Sequence, residues 1–221
     1  MNASKPVVIA LCGKGGVGKT SIAALLVKHL TDNPAHRVLA IDADPAIGLA
    51  MVLGFPVNKS VDQIRNELIR QLESKETSDL SALSAQLDYE LLDTVQEKQN
   101  LAFLAIGRPE KAGCYCRINA VLRDLITTLS RNFDYVIIDG EAGVEQVNRR
   151  VMDAVTHLVL VSDDSRKGIQ VAETIASVAD QSLQYRFMGL LFNRLNEADV
   201  QQLQQTCSLN VMGWLPEDDD I

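Results

Sequence analysis

An apolar, β-branched run, Val7-Val8-Ile9, leads within four residues into Gly13-Lys14-Gly15-Gly16-Val17-Gly18-Lys19-Thr20, and a segment of helical character follows to Leu30. No other feature restricts the fold as much as this order of strand, glycine-rich loop and helix. The octapeptide matches G-x-x-x-x-G-K-[ST]. Its glycines let the backbone curl so that successive N–H groups point inward at phosphate oxygens, and the helix N-terminus adds positive potential. Lys19 is expected to reach the β and γ phosphates of a bound nucleotide, and Thr20 to offer its hydroxyl to Mg²⁺. Gly13, Gly15, Gly16, Val17, Gly18 and Ser21 complete the nucleotide-binding set expected here.

Further β-branched runs recur at 38–41, 101–106, 135–138, 158–161, 188–192 and 211–215. Most are continuous rather than alternating, the pattern of strands covered by helices on both faces of a parallel sheet. Helical segments lie between them. Ile118, Val121, Leu122, Leu125, Ile126 and Leu129 form one apolar stripe. Ser60 and Gln63 form a capping-box pattern ahead of Ile64, Leu68 and Leu72. Residues 73–99, polar with spaced leucines, read as a helical excursion. The alternation predicts an α/β fold: a doubly wound, mostly parallel sheet with helices on both faces and ligand loops at the strand C-termini. The expectation is one domain over residues 1–221.

Twenty-nine acidic against twenty-one basic residues leave a net charge of −8. Such a surface repels phosphate backbones and anionic lipid, so neither nucleic acid nor membrane is an expected partner. No apolar run approaches the roughly 18 residues of a spanning helix. The four cysteines, Cys12, Cys114, Cys116 and Cys207, are too few in 221 residues for a disulfide framework. Reduced thiols and a cytoplasmic location are the expectation, with Cys12 and Cys207 read as packing residues.

Carboxylates stand at two strand ends, Asp42-Ala43-Asp44-Pro45 and Asp139 after Tyr135 to Ile138. An aspartate after an apolar strand is where Mg²⁺ is held directly or through water, and Asp139 fits that role with Thr20. Any one of these alone also reads as an ordinary strand-end or turn aspartate. Gly143, four residues after Asp139, is a candidate switch hinge whose N–H could sense the γ-phosphate. Asn193-Arg194 ends another strand, and an asparagine amide can pair with both the amino group and N7 of adenine.

Cys114 and Cys116 precede the most regular helix. In extended chain, residues i and i+2 project to one side, so the two sulfurs can be presented together. Two thiolates are half of a four-coordinate site, and a two-fold axis past this loop would supply the other half from a second chain. Four sulfurs suit Zn²⁺ or Ni²⁺ and also hold iron–sulfur clusters. Spacing alone leaves open that both cysteines are small core residues.

Lys14, a second loop cation that one subunit's phosphates do not need, resembles the signature lysine of the deviant phosphate-loop ATPases that include MinD, ParA and the nitrogenase iron protein. The resemblance spans nearly the whole chain. It implies a nucleotide-dependent homodimer in which Lys14 touches the partner's phosphates. It also implies that Asp44 orients the attacking water, that Asp42 lies near the metal shell, and that Pro216 borders the base, although a plain turn proline fits as well. Guanine-selective relatives carry an aspartate three positions after the asparagine. Here that position is Asn196, which favours ATP over GTP.

Gly107-Arg108-Pro109 with Gly113-Cys114-Tyr115-Cys116, Asp139 with Glu141-Ala142-Gly143 and Glu145, Arg149-Arg150, and Ser162-Asp163 with Ser165-Arg166 resemble the CooC-type ATPases. Those are accessory proteins for nickel insertion into carbon monoxide dehydrogenase. The resemblance implies an ATP-hydrolysing metallochaperone using ATP/ADP and Mg²⁺, with Ni²⁺ or Zn²⁺ at the C-x-C pair and apo carbon monoxide dehydrogenase as client. Such proteins continue through another helix beyond Leu215-Pro216, which leaves room for a segment missing after Ile221. The alternatives are a MinD/ParA-type positioning or partition ATPase and an iron–sulfur carrier or reductase ATPase. The negative charge weighs against the first of these. The second spaces its cysteines differently.

Overall fold

In the computed structural model the phosphate loop joins β1 (Val7–Gly13) to α1 (Lys19–Thr31). The chain continues through β2 (Val38–Asp42), α2 (Gly48–Leu53), α3 (Val61–Glu73), β3 (Gln96–Lys98) and β4 (Leu101–Ala105). After these come α4 (Cys116–Ser130), β5 (Tyr135–Asp139), β6 (His157–Ser162), α5 (Arg166–Ser182), β7 (Phe187–Asn193) and β8 (Val211–Leu215). The structure describes residues 5–73, 87, 89–107, 116–140, 155–196, 199, 203 and 207–218.

The strands form one eight-stranded sheet in the order β3-β4-β2-β5-β1-β6-β7-β8. Every pairing is parallel except β3 with β4. This is the doubly wound, mostly parallel sheet expected from the alternation of elements. All five residues of β2 are buried, as are five of the six in β6, because helices cover both faces. One face packs Val8, Ala10, Ile41, Leu104, Ile138, Leu160 and Phe192 against Ile64, Leu122 and Ala176 of α3, α4 and α5. The other packs Leu11, Val38, Phe103, Ile137 and Val161 against Ile22, Val27 and Leu49 of α1 and α2. Cys12 and the half-buried Cys207 and Trp214 join the first cluster as packing residues.

Of the stripe predicted for α4, Leu122 and Ile126 are buried and Val121 and Leu125 pack against the same cluster, while the side chain of Ile118 lies outside the described residues. At α3 the Ser60 N–H donates to Gln63 Oε1 at 2.7 Å, one half of the capping box. The 73–99 reading is corrected at its end. Residues 89–94 are helical, but Gln96–Lys98 is a strand. Three polar residues carry no β pattern. They are extended because they pair with β4 and because Gln96 and Lys98 donate to the carbonyls of Pro56 and Gly54, with Lys98 Nζ 4.4 Å from the Phe55 ring centre. Among the described residues no helix is long and apolar enough to cross a membrane.

Because β1 lies between β5 and β6, the C-terminal ends of β1, β2, β5, β6 and β7 open into one crevice. Such a position, where connections depart to both sides of a parallel sheet, is where ligands bind.

Candidate functional site

The floor of the crevice is the glycine loop. A Cβ at Gly13 would lie 2.1 Å from the Val161 carbonyl oxygen, so only glycine lets β1 run on against β6 here. Gly18, at φ 91°, takes the left-handed conformation that turns the chain into α1. That helix has no side-chain N-cap and no acidic residue in its first turn. Its leading N–H groups and positive dipole end are therefore offered to an anion. Lys19 is 93% buried and folds over the loop, donating to the carbonyls of Gly13 at 3.1 Å and Lys14 at 3.2 Å. A phosphate group entering the loop meets this ammonium already in place.

Two strand-end carboxylates flank the loop with different surroundings. Asp42 is fully buried and hydrogen-bonded. Its Oδ1 accepts from Asp44 N–H at 3.1 Å, and its Oδ2 accepts from Leu49 and Ala50 N–H at 2.9 and 3.3 Å. It caps the start of α2, a role that spacing did not reveal. Burial pushes its pKa up to about 6, helped by Asp139 and opposed by the three N–H groups. Asp139 is equally buried, yet neither of its oxygens has a hydrogen-bond partner. Burial raises its pKa, while Thr20 and Lys19 beside it pull the other way. A buried carboxylate with both oxygens free next to a hydroxyl fits a hard divalent cation, which Mg²⁺ sites hold through one or two such ligands plus water and phosphate. Among the described residues no three His, Cys, Asp or Glu side chains gather as a metal site.

Asp44 is half-buried at the crevice rim, where its Oδ1 accepts from Ala46 N–H at 2.8 Å and its carbonyl from Ile47 N–H at 3.0 Å. Cys12 lies beneath the loop, its thiol pushed up to about 12 by burial and so inert as a nucleophile.

Lys14 does not extend into solvent. Its Nζ pairs with Asp163 Oδ2 at 3.2 Å and Ser165 Oγ at 3.4 Å, just beyond β6. Neither partner had been assigned a role from sequence. The available signal was a Ser three residues before Gly168 at a helix start, since Ser165 caps α5 by accepting from Gly168 N–H at 3.0 Å.

On the far side, a cavity of about 170 Å³ is lined by Ser21, Ile22, Leu25, Asn193, Arg194, Leu215, Pro216 and Asp218. It brings together the three residues expected around a base, Asn193, Arg194 and Pro216, and sets Ser21 against them. Asn193 also donates from Nδ2 to the Val17 carbonyl at 2.9 Å. Cys114 and Gly143 lie outside the described residues, and Cys116 opens α4. The root of the cysteine segment is described. Ile106 N–H donates to the Asp42 carbonyl, and Asp62 N–H to the Ile106 carbonyl, both at 2.8 Å.

A glycine loop closed by a lysine, strand-end carboxylates and a base-sized cavity, all at the edge of a doubly wound sheet, define a phosphate-loop nucleotide hydrolase. The chain belongs to the CobQ/CobB/MinD/ParA nucleotide-binding family, whose profile matches residues 8–221. It is 34% identical to an uncharacterised ATP-binding protein of Methanocaldococcus jannaschii over 97% of this chain and 86% of that protein. It is 30% identical to the carbon monoxide dehydrogenase accessory protein CooC of Rhodospirillum rubrum, covering 96% and 84% of the two chains. The fold is shared with a ParA family ATPase from Chlorobium tepidum, at TM-score 0.70 and 22% identity over 98% of this chain and 86% of that one. The protein is an ATPase.

Proposed function

We propose that this ATPase is a metallochaperone. It works as a nucleotide-dependent homodimer, holds one Ni²⁺ or Zn²⁺ between two copies of Cys114 and Cys116, and assists nickel insertion into the active-site cluster of carbon monoxide dehydrogenase. What supports this reading most is the 30% identity to a carbon monoxide dehydrogenase accessory protein over 96% of the chain, in a sequence that carries a C-x-C pair. Cys116 opens α4, and Ile106, ten residues earlier in the chain, donates its N–H to the Asp42 carbonyl on the nucleotide-side strand.

In this reading the loop N–H groups of residues 13–20 and Lys19 bind the β and γ phosphates, and Ser21, Asn193, Arg194 and Pro216 seat adenine. Thr20 and Asp139 hold Mg²⁺, which when bound neutralises charge on the transferring phosphate. Asp42 shapes α2 beside that site, Asp44 orients the attacking water, and Gly143 lets the segment after Asp139 follow the γ-phosphate. Lys14 leaves Asp163 to reach the phosphates of a second copy. Metal content and oligomeric state measured together, anaerobically, with and without ATP, test the proposal. A monomer that binds no metal in either condition would sink it.

A further inference from the structure

Ile47, the residue that leads into α2, takes φ 52° and ψ 45°, the left-handed backbone conformation. Among the described residues two other non-glycine residues have positive φ, and neither is β-branched. Gln99 lies in the tight turn between β3 and β4, where hairpins call for positive φ, and Arg194 follows β7. A branched Cβ is the side chain this region tolerates least. Such a residue persists only where its surroundings over-determine it, and residues of this kind gather at active sites and switches.

Ile47 is over-determined from both sides. Upstream, Ala43 N–H donates to the Asp139 carbonyl at 2.9 Å, Asp44 N–H to Asp42 Oδ1 at 3.1 Å, and Ile47 N–H closes a turn on the Asp44 carbonyl at 3.0 Å. Downstream, Asp42 Oδ2 accepts from the Leu49 and Ala50 N–H groups and so fixes the start of α2. The half-buried Ile47 side chain packs against the cluster that holds Leu49, Ala50 and Phe55, and with Pro45 it lines a groove of about 520 Å³. Both ends of the segment are pinned to Asp42, and the strained residue joins them.

Asp44 belongs to the same turn, and its Oδ1 is held back by Ala46 N–H at 2.8 Å. The segment abuts the phosphate loop, since a Cβ at Gly48 would lie 3.5 Å from Thr20 Cγ2. A carboxylate that leaves Ala46 to face a γ-phosphate opens the turn. Opening frees Ile47 to return to an ordinary backbone conformation.

We infer that Ile47 is a positioning residue for ATP hydrolysis: its left-handed backbone strains the resting Asp44 turn, and release of that strain favours the turn that meets the γ-phosphate. The bias is about five- to thirtyfold, the left-handed penalty of one non-glycine residue written as an equilibrium ratio. The inference rests on the role of Asp44 proposed above.

The test compares full-length Ile47→Gly with Ile47→Ala. Both lose the side-chain anchor, and only glycine removes the left-handed penalty. Urea midpoints, kcat, and binding of ADP and of a non-hydrolysable ATP analogue with Mg²⁺ are measured on each. Without nucleotide the glycine variant should be the more stable of the two. Its preference for the ATP analogue over ADP should be about five- to tenfold smaller, and its kcat lower. Equal preferences in the two variants overturn the inference, because a purely structural strain moves stability and leaves that ratio alone. A glycine variant no more stable than the alanine variant overturns the strain itself. Asp44→Asn separates the inference from the reading beneath it. Normal turnover there overturns the placement of Asp44 and the role of Ile47 in hydrolysis with it, whereas lost turnover with equal preferences overturns the part of Ile47 alone. If an Ile47 variant does not fold, Ile47→Asn, which tolerates the left-handed region, and Ile47→Val, which does not, carry the same comparison.

Discussion

Lys14 Nζ lies 3.2 Å from Asp163 Oδ2, so the cation proposed to serve a second subunit is held by its own chain. Both side chains are about a third exposed, at 30% and 33%, and an ion pair so placed is worth roughly 0–1 kcal/mol. That is strong enough to park the lysine and weak enough to release it to a triphosphate. Burial pushes the Asp163 pKa up, but the Ser165 hydroxyl and Lys14 together bring it below its ordinary value, so the carboxylate is charged at neutral pH.

Replacing Lys14 by alanine should spare most nucleotide binding while abolishing turnover and ATP-dependent dimerisation. Asp163→Asn should do the reverse, lowering the protein concentration needed for dimerisation by up to about fivefold. Sedimentation with a non-hydrolysable ATP analogue, alongside phosphate release, reads both. Normal turnover in Lys14→Ala would falsify the role in trans.

Ser165 ties this latch to helix α5. Ser165→Ala removes the side-chain acceptor of Gly168 N–H and should lower unfolding stability by about 1 kcal/mol. It should also loosen Asp163, which accepts from the Ser165 hydroxyl. Urea unfolding checks the first effect. An unchanged midpoint would show that another group takes over the cap.

The two buried aspartates make a prediction about pH for the nucleotide- and magnesium-free protein. Both folded pKa values are raised, so the folded state binds more protons than the unfolded chain on the acid side, between about pH 4 and 6 for Asp42. The stability these groups contribute is full below the unfolded pKa and is lost as pH rises through the folded one, about 6 for Asp42. Asp139→Asn removes a buried carboxylate whose desolvation outweighs the help of Thr20 and Lys19. It should stabilise the apo protein at pH 7.5 by about 1–3 kcal/mol and do little at pH 4. The same variant should gain nothing from Mg²⁺ with ATP. Denaturant midpoints at the two pH values decide the matter, and destabilisation at pH 7.5 would contradict the reading of Asp139 as a carboxylate whose burial costs more than its neighbours return.

Changing Cys114 and Cys116 together to serine should remove bound metal, about half an equivalent per chain for a site shared by two copies, and leave ATP affinity unchanged. Cys12 supplies an internal control. Buried, with its thiol held near 12, it should react with thiol reagents only after unfolding. Metal persisting at half an equivalent in the double variant would place the site elsewhere.

The parts legible in the sequence are those encoded over short distances. The phosphate loop, the continuous apolar strands and the stripe of α4 each rest on residues within about four positions of one another, where chirality and helical or strand period act directly. The loop and its flanking elements lie where the motif placed them, and Asn193, Arg194 and Pro216 line one cavity. β3 was not legible, because Gln96, Glu97 and Lys98 are extended only by pairing with β4 and by bonds to the carbonyls of Gly54 and Pro56.

The sequence by itself determined a doubly wound ATPase and the residue types gathered at its strand ends. Only the tertiary structure decided how those residues divide the work. Asp42 spends its carboxylate on the N–H groups of α2 while Asp139 keeps both oxygens free, although each is an aspartate ending an apolar strand. Lys14 rests on Asp163 and Asn193 on Val17, pairs 149 and 176 positions apart in the chain. The physical reason is common to all of them. A side chain's hydrogen-bond partners and its desolvation are set by which strand ends the sheet order brings together, and no local period along the chain carries that information.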